Sequence, residues 1–199
     1  TYVAKGWHVF PVPTGEKKSH KSAKFSGRRP WGATTDAMEV RRDFERWPEA
    51  NVGIVTGPKS GIFVVECDTL EGHDVDGIAS LAMVVAQHGA LPDTLMAESP
   101  SGSLHHYFKY PDGIRITNSA SKIAPGIDVR GDGGMVVAPP SVKPGVGSYR
   151  WLNNNDIADA PDWLITLCQE EPAKHSQQPV QCQAADQAEV AAALVVIPS

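Results

Sequence analysis

Cysteine is scarce in this 199-residue chain: Cys67, Cys168 and Cys182 are the only three, far apart and without a C-x-x-C pair. That spacing offers neither a zinc cage nor a disulfide framework, so no zinc is expected, and it suits a reduced, cytoplasmic protein. No run approaches the ~20 apolar residues a membrane-spanning helix needs, and no secretory leader is visible. No repeat of fixed period is found, which sets aside repeat architectures. A uniformly basic coat is missing as well, since the net charge is −5 at pH 7. The chain also lacks an initiator Met and opens at Thr1 in what reads as the last turn of a helix, as expected of a piece of something larger.

What is present is enough to fold. With 41% apolar residues the chain can bury a substantial core as one domain plus an appendage. The charge is unevenly spread: residues 1–50 hold ten Lys/Arg against six Asp/Glu, and the remainder eight against seventeen. A basic lobe can meet nucleic acid although the whole is acidic.

The elements alternate. Trp7 to Val12 reads as a strand, and Thr14 to Gly32 as a polar, basic loop rich in turn formers. Thr35 or Asp36 can cap a helix through Trp47, on which Val40, Phe44 and Trp47 recur at helical spacing before Pro48 stops it. Runs at 51–55 and 61–67 are too short for helices and rich in Val and Ile. Asp76 to His88 reads as an amphipathic helix, and Leu95 to Ala97 and Leu104 to Tyr110 as strands. Asp112-Gly113 is a turn signal that would join the second of these to Ile114–Thr117 as a hairpin. Ile127 to Arg130 and Met135 to Ala138 flank Gly131-Asp132-Gly133-Gly134, itself readable as a hairpin turn. Ser148 to Leu152 and Pro161 to Glu170 close the series as a strand and a short helix. After Glu171 the composition turns to Pro, Gln, His, Ser and Ala. Residues 1–171 are therefore expected to form the domain, and 172–199 a flexible linker leading into a possible helical segment, Ala184 to Val196.

Three motifs stand at strand ends. In Glu66-Cys67-Asp68 the two carboxylates are at i and i+2, and alternation along a strand puts both on one face, where they can share a ligand. An ordinary surface pair is the default reading of E-x-D, but here it follows Ile62-Phe63-Val64-Val65, and buried carboxylates are costly without a partner. Ser103-Leu104-His105 and Ile127-Asp128-Val129-Arg130 supply a third carboxylate at Asp128, a histidine at His105 and an arginine at Arg130. Three acids suit hard divalent cations, and His105, Ser103 and Arg130 can serve phosphate oxygens. His105 alone would read as a structural histidine, and His106, which points to the opposite face, does so. His8, His20, His73, His88 and His175 carry no pattern and read as surface residues. Thr56–Gly61 lacks the spacing of a phosphate loop. The five tryptophans read as core, with Trp31 the exception, a candidate base-stacking platform because it follows Arg28-Arg29-Pro30.

The order and spacing of these motifs resembles the bifunctional DNA primase/polymerase (prim-pol) domain of the archaeo-eukaryotic primase superfamily, found in phage and plasmid replication proteins. The likeness covers about two thirds of the chain, from Gly6-Trp7-His8-Val9-Phe10-Pro11-Val12 to Pro139-Pro140-Ser141, and includes Asn51–Gly57, Gly61–Asp68, Ser99–Phe108 and Gly126–Gly134. It implies an α+β fold with mixed or antiparallel central sheets flanked by helices, a primase-polymerase (RRM-like) core. It further implies DNA primase and DNA polymerase activity, a nucleotidyl transfer on a single-stranded DNA template from dNTP or NTP with two Mg²⁺ or Mn²⁺ ions held by Glu66, Asp68 and Asp128. His105 joins the catalytic set. Ser103, His105 and Arg130 fall to the nucleotide, and Lys24, Arg28 and Arg29 to the nucleic acid. Relatives are commonly joined to a helicase. Two positions depart from the family pattern: Glu66 stands where Asp is usual, and Met135 where an aromatic residue is frequent. A non-catalytic module for single-stranded DNA or nucleotides stays open beside this reading, and a metal-dependent nuclease behind it. Glu66→Asp is expected to retain or raise synthesis on a primed template; a complete loss in that extension assay would contradict the argument from side-chain length.

Overall fold

Alternation along the strands decides which layer each residue joins, and two sheets result. A computed structural model of the chain describes residues 1–23 and 29–169. The strands are β1 (Val9–Val12), β2 (Asn51–Val55), β3 (Ile62–Cys67), β4 (Met96–Glu98), β5 (Leu104–Lys109), β6 (Ile127–Arg130), β7 (Met135–Ala138), β8 (Val142–Lys143), β9 (Gly147–Ser148) and β10 (Arg150–Trp151). The helices are α1 (Ala37–Arg46), α2 (Leu70–His73), α3 (Gly77–His88) and α4 (Asp162–Gln169). One sheet has the order β1-β2-β7 and the other β10-β4-β5-β3-β6, every pairing antiparallel, while β8 and β9 form a separate ribbon. The fold is α+β.

β3 is buried along its whole length because it packs on both faces. Phe63, Val65 and Cys67 join Phe108, Ile127 and Val129 under Val84 of α3 and Leu164 and Cys168 of α4. Ile62 and Val64 join Ala97 and Tyr107 against Val9, Ile54, Val136 and Ala138 of the other sheet. Each fully buried Val, Ile or Phe of these layers adds roughly 1.5–3 kcal/mol. The helices start where short acidic side chains cap them: Asp36 accepts from the amides of Met38 and Glu39, at 2.8 and 3.0 Å, and Asp76 from that of Ala79, at 2.8 Å.

Several expected elements take another form. Asp112-Gly113 makes its turn, but Ile114–Thr117 forms no strand. β5 is already paired on both edges, by β4 and β3, so a hairpin partner has no ladder to join. The backbone of Ile116 is served instead by the Tyr110 hydroxyl and the Asp132 amide. Gly131–Gly134 is not a hairpin turn: β6 belongs to the five-stranded sheet and β7 to the three-stranded one, so the turn carries the chain between layers. The last strand is split, with β9 paired to β8 and β10 to β4. The boundary near 171 and the segment 172–199 lie outside the described residues, as does Cys182.

Glycine closes the junction beneath β3. The Asp68 amide donates to the Gly126 carbonyl and the Gly77 amide to the Asp68 carbonyl, both at 2.8 Å. A Cβ at Gly77 would overlap the Gly126 oxygen and lie 2.6 Å from the Asp68 nitrogen, with only backbone to give way. Gly77→Ala should destabilise the fold by roughly 1–3 kcal/mol, measurable as a lowered urea midpoint.

Candidate active site

Antiparallel register assembles the site from three strands. Glu66 of β3 is the partner of His105 on β5 and of Asp128 on β6, so the three stand in one row across the sheet. Tyr107, Val64 and Arg130 form the row before it. Beyond the end of β3, Asp68 lies beside Ser103, whose hydroxyl donates to Asp68 Oδ1 at 3.3 Å. This face also carries the three-stranded sheet, and the acids sit where the packed Val64 and Tyr107 give way to a cleft of about 370 Å³.

Arg130 holds the row together. Its Nε donates to Glu66 Oε2 at 2.7 Å, and its Nη2 lies 2.7 Å from the same oxygen and 2.8 Å from Asp128 Oδ2. The Ser121 amide donates to the other Asp128 oxygen at 3.0 Å. One cation thus bridges two carboxylates from neighbouring strands. Glu66 is only 8% exposed. Burial would raise its carboxyl, but the positive charges facing it, His105 when protonated and Arg130 at all working pH values, outweigh that and hold it below the usual range. Burial also dominates at His105 and pushes the imidazole down against the pull of Glu66, 3.8 Å away, so His105 is neutral at pH 7. Arg130, with a smaller pull from Lys17, therefore keeps Glu66 ionised there. Arg130 itself is raised: burial opposes its charge, and Glu66 and then Asp128 overcome that.

The expected residues Glu66, Asp68, Asp128, Ser103, His105 and Arg130 are brought to one sheet face. Glu66, Asp68, Ser103, His105 and Arg130 line the cleft, while Asp128 is turned to Arg130 and Ser121 and does not. Arg29 stands apart, paired with Glu39 at 2.6 Å, and Lys24 and Arg28 lie outside the described residues. His73 is exposed, as expected, but it has a place in the site as well: α2 puts its Nε2 3.4 Å from Asp68 Oδ1 at the cleft wall. The signal lay in its position, one helical turn past Asp68-Thr69. Lys17, Asn118 and Tyr149 also line the cleft and were not singled out. Burial and then the Glu66 charge push Tyr149 up to about 12. Trp31 lines the far, apolar end with Met135 and Val137; its ring stacks on Phe10 at 5.5 Å, and its backbone takes φ +61°.

The donors fit a hard divalent cation. They are carboxylate and hydroxyl oxygens from Glu66, Asp68 and Ser103, with Asp128 in the same face, and Glu66 and Asp128 already share a cation in the form of a guanidinium. Among the described residues no group of three His, Cys, Asp or Glu side chains is arranged as a metal cage. Also among the described residues, no helix is long and apolar enough to cross a membrane.

A family model described as bifunctional DNA primase/polymerase, N-terminal, matches residues 1–163. No curated protein matches the chain.

His106 shows what the opposite face costs. Burial lowers its imidazole from 6.5 to about 4, against a hydrogen bond with the Val65 backbone. The unfolded chain takes up that proton first as pH falls, so the contribution of neutral His106 is complete above 6.5 and is lost toward about 4. Stability from urea titrations should fall across that window by up to about 3 kcal/mol, and His106→Gln should flatten the slope.

Proposed function

The chain belongs to the bifunctional DNA primase/polymerase family of nucleotidyl-transferring enzymes, and we propose that it extends nucleic acid on a single-stranded DNA template from nucleoside triphosphates at the Glu66–Asp68–Asp128 site. The observation that carries this reading is the row His105–Glu66–Asp128 across three strands, with Glu66, His105, Asp68 and Ser103 on the wall of one cleft and Asp128 behind it, tied to Arg130.

Glu66, Asp68 and Asp128 would hold the divalent ions, Mg²⁺ or Mn²⁺, which when bound supply Lewis acidity for an in-line displacement at phosphorus. The rest is done by the chain. Arg130 presents a fork of N–H donors that a triphosphate can share in place of Asp128, and its charge offsets the negative charge gathered there. His105, neutral at pH 7, offers an N–H to a phosphate oxygen without adding a charge that would compete with cations. Ser103 and His73 orient Asp68. Lys17 draws the polyphosphate from the loop after β1. At the apolar end, Trp31 offers an aromatic face to the nucleobase, a contact that accepts any base. The charged end of the cleft, with Glu66, Asp68 and Arg130, and its apolar end, with Trp31, give the nucleotide one direction.

A second reading, a module that binds nucleotide or single-stranded DNA without chemistry, is favoured by one observation, the guanidinium already seated between Glu66 and Asp128. Primer extension with Mg²⁺ and Mn²⁺ separates the two. Asp68→Ala and Asp128→Ala should each lower extension about 10²-fold or more while leaving the thermal midpoint within a few degrees. Unchanged synthesis in either variant would contradict the site, retention of DNA without extension by the unmodified chain would favour the module, and shortening of the template would indicate a nuclease.

A further inference from the structure

A second cavity, of about 230 Å³, lies beside the cleft. Its wall carries His8, Arg29, Thr34, Thr35 and Lys59, and among the described residues no Asp or Glu lines it. Two links fix its place. Val55 on its wall is the register partner of Met135 on the cleft wall, and Pro30 on its wall precedes Trp31 on the cleft wall. The two cavities are thus neighbours across adjacent strands and share one loop.

The cavity is built for a negative group. Basic side chains reach it from three separate parts of the chain: before β1, before α1, and in the turn between β2 and β3. Burial, then the Lys59 charge and more weakly that of Arg29, hold the His8 imidazole below its usual range, against a hydrogen bond with the Lys59 backbone, so the ring feels both cations. Among the described residues His8 Nδ1 is buried without a hydrogen-bond partner, although the His8 backbone amide is anchored to the Ser60 hydroxyl at 3.0 Å. Arg29 is held from behind, donating to Glu39 Oε1 at 2.6 Å and to the Ala33 carbonyl at 3.4 Å. Glu39 stays ionised: burial would raise it, but the bonds from Lys21 and Arg29 bring it down to about 2. It therefore offsets part of the Arg29 charge and leaves the cavity suited to an anion of low charge.

We infer that His8, Arg29 and Lys59 form a pocket for one phosphate group of a nucleic-acid strand that continues past the catalytic cleft. A phosphodiester carries a single charge and four oxygens, which matches Lys59, the partly neutralised Arg29 and the hydroxyls of Thr34 and Thr35. A triphosphate tail carries the same chemistry with more charge. The inference rests on the proposed nucleic-acid reading only for the carrier of the phosphate.

The test is direct binding, without synthesis. Fluorescence anisotropy of a labelled oligothymidylate, titrated over a range of salt, is measured for the unmodified chain and for Lys59→Gln, Arg29→Gln and Lys59→Arg. In parallel, calorimetry measures the affinity for a nucleoside triphosphate. Each glutamine variant should weaken oligonucleotide binding about tenfold at low salt and flatten the slope of log K against log salt by about 0.7. Lys59→Arg should keep both, and triphosphate affinity should be unchanged. Equal oligonucleotide affinity and slope in all four proteins would overturn the pocket. Lost triphosphate binding with the oligonucleotide unaffected would overturn the strand as its ligand. Failure of the unmodified chain to hold the oligonucleotide at all would count against the nucleic-acid reading itself.

Discussion

A carboxylate on the inner face of a sheet must be met by a cation, and Arg130 is the group that meets Glu66. That contact sets the rest of the site. It draws β6 to the edge of β3 with Asp128 facing the same guanidinium, and it keeps Glu66 ionised in a place where burial alone would protonate it. With Glu66 charged, His105 feels its pull yet remains neutral, because desolvation is the larger effect. Taking Arg130 away would leave the buried Glu66 charge uncompensated, a loss of several kcal/mol, whereas the less buried Asp128 can go and leave the Arg130–Glu66 contact in place. The same pairing makes the acids responsive: whatever attracts the guanidinium elsewhere releases two carboxylates at once.

Much of this was legible from residue order. The apolar run before Glu66 required a buried strand, and β3 is one; Asp68, which alternation put on the face of Glu66, lies just past the strand's end and lines the same cleft. The caps at Asp36 and Asp76 and the stop before Pro48 are local chemistry, and they place α1 and α3 to within a residue. What alternation cannot say is which strands are neighbours. The partnership of Glu66 with both His105 and Asp128 depends on β3 lying between β5 and β6, a long-range choice that family resemblance, rather than spacing, suggested. The misreading of Ile114–Thr117 has the same origin: the turn was right, but the edge it needed was taken. His73 and Tyr149 were missed because each is brought in by packing, one on a four-residue helix and the other from beyond the β8–β9 ribbon.

The departures from the family pattern also acquire physical content. Glu66 carries one methylene more than aspartate, and its oxygens reach Arg130 on one side and approach His105 on the other. Met135 packs with Phe10, Val12, Ala33, Val55 and Val137 and at the same time borders the cleft, so it is a packing residue with one side turned to the ligand space. The cleft as a whole divides into a charged end on the five-stranded sheet and an apolar end on the three-stranded one. That division follows from two sheets meeting at their faces, with polar residues only where the apolar contact runs out.

The crossing at Gly131–Gly134 gives this cleft a bound spine. The Thr56 hydroxyl donates to the Gly131 carbonyl at 2.7 Å, and Asn118 grips Gly131 and Asp132 from the other side. The two walls are stitched together at that margin by covalent bonds and side-chain clasps, as pages are at a book's back. The opposite margin, where the Lys17 loop and the β8–β9 ribbon stand, has no such clasp among the described residues, so the angle between the covers is set at the back.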